Sequence, residues 1–592
     1  MEILFPFLLS LLLSIGLTKA IILNQKKLAW LIRKPSQDRW HGEPTPSFGG
    51  IAMFLAFSIT VIVLLKDSGD LWKLLLGGTV VFILGLMDDI YTFPPYVKLI
   101  GQITVACAMI LLGIHAFLTW NPLIYIPLTV IWMVGITNAF NLLDNMDGLA
   151  AGIALIAALF MGVLTFLGGN PLPLGLFSTF MGATVGFLFF NRNPAKIFMG
   201  DCGSQWMGFT LATLGILGTW QNASNLLLVL ITPILVLAVP IFDTTLVTLN
   251  RKIQGRPVSQ GGRDHASHRL VALGLSQNKT VSVLWGLSII FGLIAILAQL
   301  YSAEIWLLIV SVAVIFTLVI GLFLTDAKVY HHNVLQKEIF PSILYKRRIV
   351  ELVSDCLLIG VIYILAYLLR YDWTLNPYFL SQIEKSLPIV VAAKLISFLI
   401  FGLYRGLWTY IDFEGFVRLL KVSVLASLTT VLVILGVYRF EGFSRTLFVI
   451  DFILLFAAMG GTRALLRALR ESIFAFPESG VHLLIVGAGD TCRYLLSEIR
   501  KNRQWNLRPV AIVDDDRRKR GKTILDIPIV GTHDEIPEIV QKHHVKQIVI
   551  AIPSAKADQL DAIRKSCDES RVPHVTMQSL EDTLIRQIVK DG

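Results

Sequence analysis

The chain carries little charge for its length. Only 16% of its 592 residues are Asp, Glu, Lys or Arg, whereas 55% are hydrophobic, and the mean hydropathy is +0.69. Soluble domains carry roughly 25% charged residues, so this composition excludes a wholly soluble protein. It predicts a polytopic α-helical membrane protein. The net charge of +10 is then explained by the excess of Lys and Arg in cytoplasmic loops, and we expect no nucleic acid partner.

Cysteine is scarce, and the N-terminus lacks the marks of a cleaved signal peptide. Five cysteines are scattered without paired spacing, which excludes a disulfide framework and a zinc site and predicts reduced thiols. The apolar segment 3–23 has no basic region before it and no small-residue cleavage site after it. We therefore expect it to be a retained first span.

Apolar windows of about 17–25 residues, the length that crosses a bilayer, recur along the chain. About fifteen spans are predicted in this way. They lie near residues 3–23, 47–65, 71–87, 98–114, 122–140, 149–167, 172–190, 204–220, 225–247, 281–299, 304–324, 349–369, 386–405, 419–437 and 446–463. The interiors of these spans are expected to be almost free of charge.

The C-terminal part differs in character, because residues 473–592 are charged and hold short apolar runs between helical patterns. This pattern predicts a soluble α/β domain with a Rossmann-like sheet. The sequence thus predicts a polytopic domain over 1–325, a linker with a four-helix membrane domain over 326–472, and a Rossmann-like domain over 473–592.

Basic residues set the expected orientation in the membrane. The loop after the first span holds five of them, at positions 26, 27, 33, 34 and 39, so it is expected to be cytoplasmic. Alternation then places the C-terminal domain and the polar strips described next on the cytoplasmic side. The predicted location is the inner (plasma) membrane.

Four short polar strips interrupt the apolar sequence. They are Asp88-Asp89, residues 141–148, residues 198–201 and residues 264–269. Each carries aspartate where a membrane helix is expected to end, and a carboxylate at a helix C-terminus opposes the helix dipole. Adjacent carboxylates also repel each other. Together the strips predict a bound hard cation, Mg²⁺ with Mn²⁺ as the alternative, that serves a phosphate substrate.

Two of these strips offer more detail. Asp144 and Asp147 are three residues apart, so we expect them to share one helical face, and Gly148 permits a sharp exit from the helix. His265 and His268 could donate to a diphosphate. Nearby cations that could bind phosphate are Arg251, Lys252, Arg256, Arg263 and Arg269. Taken singly, an aspartate at a helix end is more often a cap, and a basic loop only a topology signal.

Over residues 1–325 these strips resemble, in order and spacing, the polyprenyl-phosphate N-acetylhexosamine-1-phosphate transferases of the MraY/WecA superfamily (glycosyltransferase family 4). The matching segments are residues 44–50, Asp88-Asp89, 138–148, 191–201 and 256–269. The resemblance implies transfer of a sugar 1-phosphate from a UDP-sugar to undecaprenyl or another polyprenyl phosphate, with release of UMP. It implies Mg²⁺ dependence and a place at the start of cell-envelope polysaccharide synthesis. N-acetylglucosamine is the default sugar, with N-acetylgalactosamine or a 6-deoxy sugar as alternatives.

The resemblance also implies roles for individual residues. Asp201 corresponds to the principal metal ligand, and Asp88 and Asp89 to a pair beside the metal with a catalytic part. Lys98 corresponds to a basic residue that contacts the lipid phosphate, and His265 is also expected to take part in catalysis. Substrate-binding positions implied in the same way are Asn141, Asp144, Asp147, Asn191, Phe198, Arg256, His268 and Arg269. Ser267 stands where many members carry a histidine.

The second half resembles the four-span N-terminal part, and the Rossmann-like domain that follows it, of membrane-bound nucleotide-sugar 4,6-dehydratases of the CapD/WbpM type. The motifs are residues 346–348, 401–408 and 460–463. A glycine loop with Gly487 and Gly489 follows a predicted strand, and Asp514 ends the next one, which could bind a nucleotide such as NAD or a nucleotide sugar. Cys492 replaces the third glycine, so a purely structural fold stays open.

This half lacks the catalytic pair of such dehydratases. Tyr494 is the only tyrosine after residue 473, and Glu498 stands where a Tyr-x-x-x-Lys motif needs lysine. Dehydratase activity is therefore not expected, and a regulatory, docking or oligomerising role, with a homodimer, is the interpretation. Two other classes remain open: a transporter gated by a nucleotide-binding domain, which would favour ionisable residues midway through spans, and a scaffold with an inactive transferase half.

Overall fold

The structure is a computed structural model that describes most of the chain. The described residues are 3–24, 45–64, 71–115, 121–169, 174–219, 226–253, 255–257, 262, 264–300, 303–325, 336–373, 376–405, 413–473, 476, 480–501, 505–552, 555 and 557–577. The chain divides into two compact units, Met1–Arg467 and Ala468–Gly592. The basic loop used above for orientation lies outside the described residues, as do Arg263 and part of the segment 401–408.

All regular secondary structure among the described residues of the first unit is helical. Its helices are α1 (Leu4–Leu23), α2 (Gly49–Leu64), α3 (Leu71–Tyr91), α4 (Pro95–Leu111), α5 (Pro122–Leu143), α6 (Leu149–Leu167), α7 (Leu174–Asn191), α8 (Gly200–Thr219), α9 (Leu226–Val236), α10 (Ala238–Ile253), α11 (Ala266–Ala272), α12 (Gln277–Leu300), α13 (Ala303–Thr325), α14 (Gln336–Arg370), α15 (Pro377–Ile400), α16 (Phe413–Tyr438) and α17 (Arg445–Ile473). Among the described residues, nine helices are long and apolar enough to cross a membrane. Every predicted span except 225–247 overlaps a single α-helix, so the prediction of a polytopic helical protein is confirmed.

One predicted span, 225–247, is two helices in the structure. α9 ends at Val236 and α10 begins at Ala238. Pro240 lies in the first turn of α10, where a missing backbone N–H is tolerated. Because proline has no N–H, the hydrogen-bond pattern of α9 cannot continue through this position. The break makes α10 an independent helix, and it carries a carboxylate, Asp243, that the sequence analysis had counted as part of an apolar span.

The N-terminal helix packs closely against α7. Ser10 Oγ donates to the carbonyl of Thr179 at 2.8 Å, and Ser14 Oγ donates to that of Ala183 at 2.7 Å. Small polar side chains that bond to a neighbouring backbone are a common way to join helices in a bilayer. α1 is therefore an integral member of the bundle.

The expectation that span interiors are almost free of charge is wrong for the four-helix segment α14–α17. Lys394 on α15 donates to both oxygens of Asp451 on α17, at 2.7 and 2.6 Å, and the two side chains are 0% and 1% exposed. Asp355 on α14 accepts a hydrogen bond from Tyr404 at 2.9 Å. Ionised groups in hydrocarbon must be paired, and this pairing explains why the bundle tolerates them.

The second unit is an α/β fold, as predicted. Its strands are β1 (Val481–Val486), β2 (Leu507–Val513), β3 (Thr523–Ile524), β4 (Ile527–Gly531), β5 (Gln547–Ile550) and β6 (His574–Thr576), and its helices are α18 (Asp490–Lys501), α19 (Ile536–Lys542) and α20 (Ala557–Glu569). The strand order is β3-β4-β2-β1-β5-β6, parallel except for the β3–β4 pair. Alternate residues of β1 enter two hydrophobic cores, one on each face of the sheet, as the side-chain period of a buried strand requires.

Candidate active site

A charged cluster joins three helices at one end of the first unit. Asp88 lies near the end of α3, Lys98 in the first turn of α4 and Asp201 in the first turn of α8. The ammonium of Lys98 is 3.0 Å from Asp201 Oδ2 and also forms an ion pair with Asp88 Oδ2. Asp88 is buried, whereas the side chains of Lys98 and Asp201 are 23% and 18% exposed. Two carboxylates thus share one cation, and the cluster opens to the surface on the side of Lys98 and Asp201.

The helix ends that carry these carboxylates differ from the prediction. Asp88 and Asp89 do lie near the C-terminus of α3, and Asp144 follows the last residue of α5. Asp201, by contrast, is in the first turn of α8, and Asp264 precedes α11, so both lie at helix N-termini. There the helix dipole stabilises a carboxylate instead of opposing it. The prediction that every strip ends a helix is therefore wrong for these two.

Asp89 fixes the start of α8. Its two oxygens accept hydrogen bonds from the backbone N–H groups of Asp201, at 3.0 Å, and Cys202, at 2.9 Å. Gly200 precedes them with φ at +76°, and a Cβ atom there would lie 2.7 Å from Asp89 Oδ2. The structure therefore gives Asp89 a positioning role toward Asp201. Its metal-binding and catalytic parts stay predictions.

Close contact between the backbones of α3 and α8 brings Asp88 to Asp201. Gly85 lies at the crossing, where a Cβ atom would come within 2.6 Å of the Cys202 Cα and 2.7 Å of the Asp201 carbonyl oxygen. Gly85 is not predicted from the sequence, because one glycine in an apolar span carries no signal of its own. Its position one turn before Asp88-Asp89 is the one hint that the sequence offers.

A set of buried and half-buried amide side chains lies next to the charged cluster. Asn138 donates to Gln102 at 2.6 Å, and Gln102 donates to Gln205 at 3.1 Å. Asn141, a predicted substrate-binding residue, accepts from the hydroxyl of Ser204 at 2.8 Å. These bonds tie α4 and α5 to α8 and so hold the helices that carry Lys98 and Asp201. Apart from Asn141, their members were not singled out in the sequence.

The expected helical face shared by Asp144 and Asp147 does not exist. α5 ends at Leu143, and residues 144–148 form a turn that leads through Gly148, with φ at +71°, into α6. Asp147 turns toward another loop, where it accepts from Ala195 N at 3.0 Å and Asn193 Nδ2 at 3.1 Å. The i, i+3 rule failed because the helix stops before both residues.

Asn191 is the last residue of α7, and Phe198 lies in the loop between α7 and α8. Asn191 is buried, accepts from Gly148 N at 3.0 Å and donates to the Ile197 carbonyl at 2.8 Å. The backbone of Phe198 bonds to Pro46 and Gly49, each at 2.8 Å, which draws residues 45–49 into the site. Asn191 therefore braces this loop. Its contact with a nucleotide, and the stacking of Phe198 on uracil, stay predictions.

The loop before α11 is held by buried arginines that the sequence had suggested for phosphate binding. Arg251 donates two hydrogen bonds to Asp264, at 2.8 and 2.6 Å, and Arg269 donates to the carbonyls of Asp264, at 2.8 Å, and Leu324, at 3.0 Å. Burial alone would raise the pKa of Asp264, but the Arg251 guanidinium lowers it below its ordinary value. Arg251 and Arg269 thus bond to the protein itself. Arg256 is half-buried.

The histidine loop also contacts the run 141–148. Ser267 Oγ donates to Asn145 Oδ1 at 2.6 Å, so the residue that replaces a third histidine links two of the four strips. His265 Nδ1 lies 2.8 Å from Asp243 Oδ2, and the rings of His265 and His268 are 6.1 Å apart. The histidine loop is therefore bonded both to the run 141–148 and to α10.

The residues of the charged cluster suit a magnesium ion. Within the part of the chain that the structure describes, no group of three or more His, Cys, Asp or Glu side chains could hold a metal ion. Mg²⁺ does not need one, because it commonly binds one or two carboxylates and completes its shell with water and substrate phosphate. Asp201 and Asp88 supply such a pair, and the Lys98 ammonium between them shows that the site already favours a cation.

The glycine loop of the second unit is closed by its own aspartate. Gly487 has φ at +102°, and the next N–H, that of Ala488, donates to Asp514 at 2.7 Å. Asp514 also accepts from Asp516 N and Lys519 Nζ, both at 2.9 Å. Burial would raise the pKa of Asp514, but these hydrogen bonds lower it. The carboxylate expected to bind ribose is thus committed to protein donors.

Comparison with known proteins matches two families to the chain. The model of the family described as glycosyl transferase family 4 matches residues 71–219, and that of a CoA-binding domain matches residues 399–576. A probable undecaprenyl-phosphate N-acetylglucosaminyl 1-phosphate transferase of Bacillus subtilis is 36% identical over 302 residues, which are 49% of this chain and 82% of the relative. A decaprenyl-phosphate N-acetylglucosaminephosphotransferase of Mycobacterium tuberculosis is 32% identical over 293 residues, covering 42% and 71%.

A solved structure resembles a smaller part. The UDP-D-quinovosamine 4-dehydrogenase of Vibrio fischeri is 28% identical and covers 18% of this chain and 87% of its own. The TM-score is 0.17, too low for a structural argument.

Proposed function

Because this chain belongs to glycosyl transferase family 4, as the resemblance of its polar strips predicted, we propose that it transfers N-acetylglucosamine 1-phosphate from UDP-N-acetylglucosamine to a polyprenyl phosphate. An oxygen of the lipid phosphate attacks the sugar-bound phosphorus. The bond between the two phosphates of the UDP-sugar breaks, and UMP leaves. The products are a polyprenyl diphosphate sugar and UMP.

One observation carries the proposal: Asp88, Lys98 and Asp201, from three helices, form one partly exposed charged cluster. All three lie within the matched family segment. Phosphoryl transfer depends mainly on charge neutralisation and positioning, and a cluster of two carboxylates and one ammonium can provide both.

Each residue of the charged cluster has a separate role in the proposed reaction. Lys98, as the partly exposed cation, would bind the lipid phosphate, and the buried Asp88 would accept a proton from that phosphate or fix its position. Asp201 with Asp88 would hold Mg²⁺, which when bound neutralises the diphosphate of the donor. Asp89 keeps Asp201 in place through the start of α8.

The membrane location follows from the substrates. We propose that the cluster faces the cytosol at the inner membrane, since the lipid phosphate lies at headgroup level and the UDP-sugar is soluble. Cysteine substitutions beside Asp88 and Asp201, labelled with an impermeant reagent from each side, test this orientation. Labelling of the two positions from opposite sides would contradict it.

UMP release by the purified full-length protein tests the activity. Protein in detergent is incubated with polyprenyl phosphate, a panel of UDP-N-acetylhexosamines, and Mg²⁺, Mn²⁺ or chelator. We expect UMP with UDP-N-acetylglucosamine and a divalent ion, and a loss of about 100-fold or more in Asp201→Asn. Asp561→Asn is the matched control, since Asp561 is an exposed aspartate of the second unit, with a side chain 76% exposed. No UMP from any donor would contradict the proposal and favour the transporter or scaffold alternatives.

For the second unit we propose a nucleotide-binding, regulatory role. Its support is the match to a CoA-binding domain and the positive-φ Gly487 before the N-terminus of α18. Gly489 adds room, since no atom lies within 4 Å of a Cβ built there. Calorimetry of the full-length protein with CoA, NAD and UDP-sugars, against a Gly489→Leu variant, tests it. Equal heats from both proteins would contradict the proposal. A homodimer through this half stays a prediction.

A further inference from the structure

A buried aspartate on α10 holds the first histidine of the loop before α11. Asp243 Oδ2 lies 2.8 Å from His265 Nδ1, and Asp243 Oδ1 accepts from the backbone N–H of Ala266 at 2.6 Å. Asp243 is 1% exposed and His265 is 5% exposed. A buried carboxylate is costly unless its oxygens are bonded, and both bonds go to this loop. The position of Asp243 is therefore explained by the loop and not by α10 itself.

α10 contacts the loop before α11 through two side chains. The break before α10 separates it from α9, and α10 carries a second loop contact eight residues further on, about two helical turns, where Arg251 binds Asp264. One helix thus anchors two successive residues, Asp264 and His265, by two different buried bonds.

The hydrogen bond between Asp243 and His265 indicates which ring nitrogen of the histidine carries the proton. An ionised carboxylate only accepts hydrogen bonds, so His265 Nδ1 must carry the proton that it donates to Asp243. The other ring nitrogen, Nε2, lies on the far side of the ring from Asp243. In the neutral ring it is the one with a free lone pair.

We propose that Asp243 is a positioning residue for the transfer reaction: it fixes the ring orientation and the Nδ1–H tautomer of His265, so that Nε2 is the atom presented to the phosphates of the substrate. The last step rests on the proposed function. The Asp243–His265 pair itself does not, and it can be tested without turnover.

Asp243→Asn tests the proposal with little change of shape. The Ala266 N–H can only donate, so the amide oxygen is expected to face it and the amide NH₂ to face His265 Nδ1. The ring proton then moves to Nε2. We expect kcat to fall about 10- to 100-fold with a smaller change in KM, as for other residues that orient an essential histidine.

A double-variant comparison separates positioning from general stability. If Asp243 acts through His265, Asp243→Asn should cost little further activity in a His265→Gln background. Asp264→Asn is the matched control: it removes a neighbouring buried carboxylate whose side-chain oxygens pair with Arg251 rather than with the imidazole. We expect its loss to add to that of His265→Gln. If the loss of activity in Asp243→Asn adds to that of His265→Gln as fully as the loss in Asp264→Asn does, the proposal is overturned.

The tautomer provides a readout that does not depend on activity. In protein labelled with ¹⁵N-histidine, the His265 signals are identified by their loss in His265→Gln. We expect the Nδ1–H form in the wild type and the Nε2–H form in Asp243→Asn. If the wild type shows Nε2–H, or the variant keeps Nδ1–H, the proposal fails even if UMP is released. If the tautomers behave as expected but no UMP forms, the proposed function fails and the pair stands.

Discussion

Gly85→Ala is expected to inactivate the transferase site without unfolding the protein. An added Cβ atom would lie 2.6 Å from the Cys202 Cα and 2.7 Å from the Asp201 carbonyl oxygen, both backbone atoms that cannot rotate away. Ordinary contact begins at 3.4 Å, so α3 and α8 must separate by about 0.8 Å. The separation falls directly between the helices that carry Asp88 and Asp201.

A displacement of this size is large on the scale of phosphoryl transfer. Misplacing reacting groups by about 1 Å can cost roughly 100-fold in rate, so we expect kcat for UMP release to fall by about that factor. KM should change less, because the substrate-binding side chains remain. The assay is UMP release in detergent, with thermal unfolding measured on the same preparations.

Gly78→Ala is the matched control on the same helix. There a Cβ atom would meet the Trp206 ring at 3.5 Å, which is ordinary contact, and alanine favours the helix by about 0.5–1 kcal/mol over glycine. We expect activity to be retained. If Gly85→Ala keeps the wild-type kcat, or Gly78→Ala loses as much, then close approach of α3 and α8 does not assemble the site.

Two further predictions concern the rest of the chain. Lys394→Met or Asp451→Leu alone should lower the thermal unfolding midpoint in detergent, because a buried charge without its partner costs about 3–5 kcal/mol. The double variant should unfold at a temperature near that of the wild type. Additive losses in the double variant would argue against the pair. In the second unit, the lowered pKa of Asp514 means that its stabilisation is complete above the unfolded-state pKa near 3.8 and is lost as pH falls through the lower folded-state pKa. The protection factor of the Ala488 amide, which is its intrinsic exchange rate divided by its observed rate at the same pH, should therefore fall on acidification in the wild type. In Asp514→Ala, which removes the acceptor, the protection factor should already be low at neutral pH, and strong protection in that variant would contradict the assignment.

The sequence by itself determined the class of the protein, its helices and its family. Apolar windows of bilayer length are read directly from composition, because hydrocarbon admits only chains whose backbone bonds are satisfied within the helix. The strands of the second unit were equally readable, and the order of the polar strips identified the family. These features are local, so neighbouring residues suffice to specify them.

Only the tertiary structure decided how the strips work. It made Asp89 a brace for α8 and turned Asp147 away from Asp144. It also bonded Arg251 and Arg269 to the protein, and paired His265 with Asp243. A carboxylate or guanidinium has the same formula whether it faces a substrate or another helix. Which of these it does depends on where a distant helix begins, breaks or crosses, and such long-range packing leaves no mark on the residues next to it.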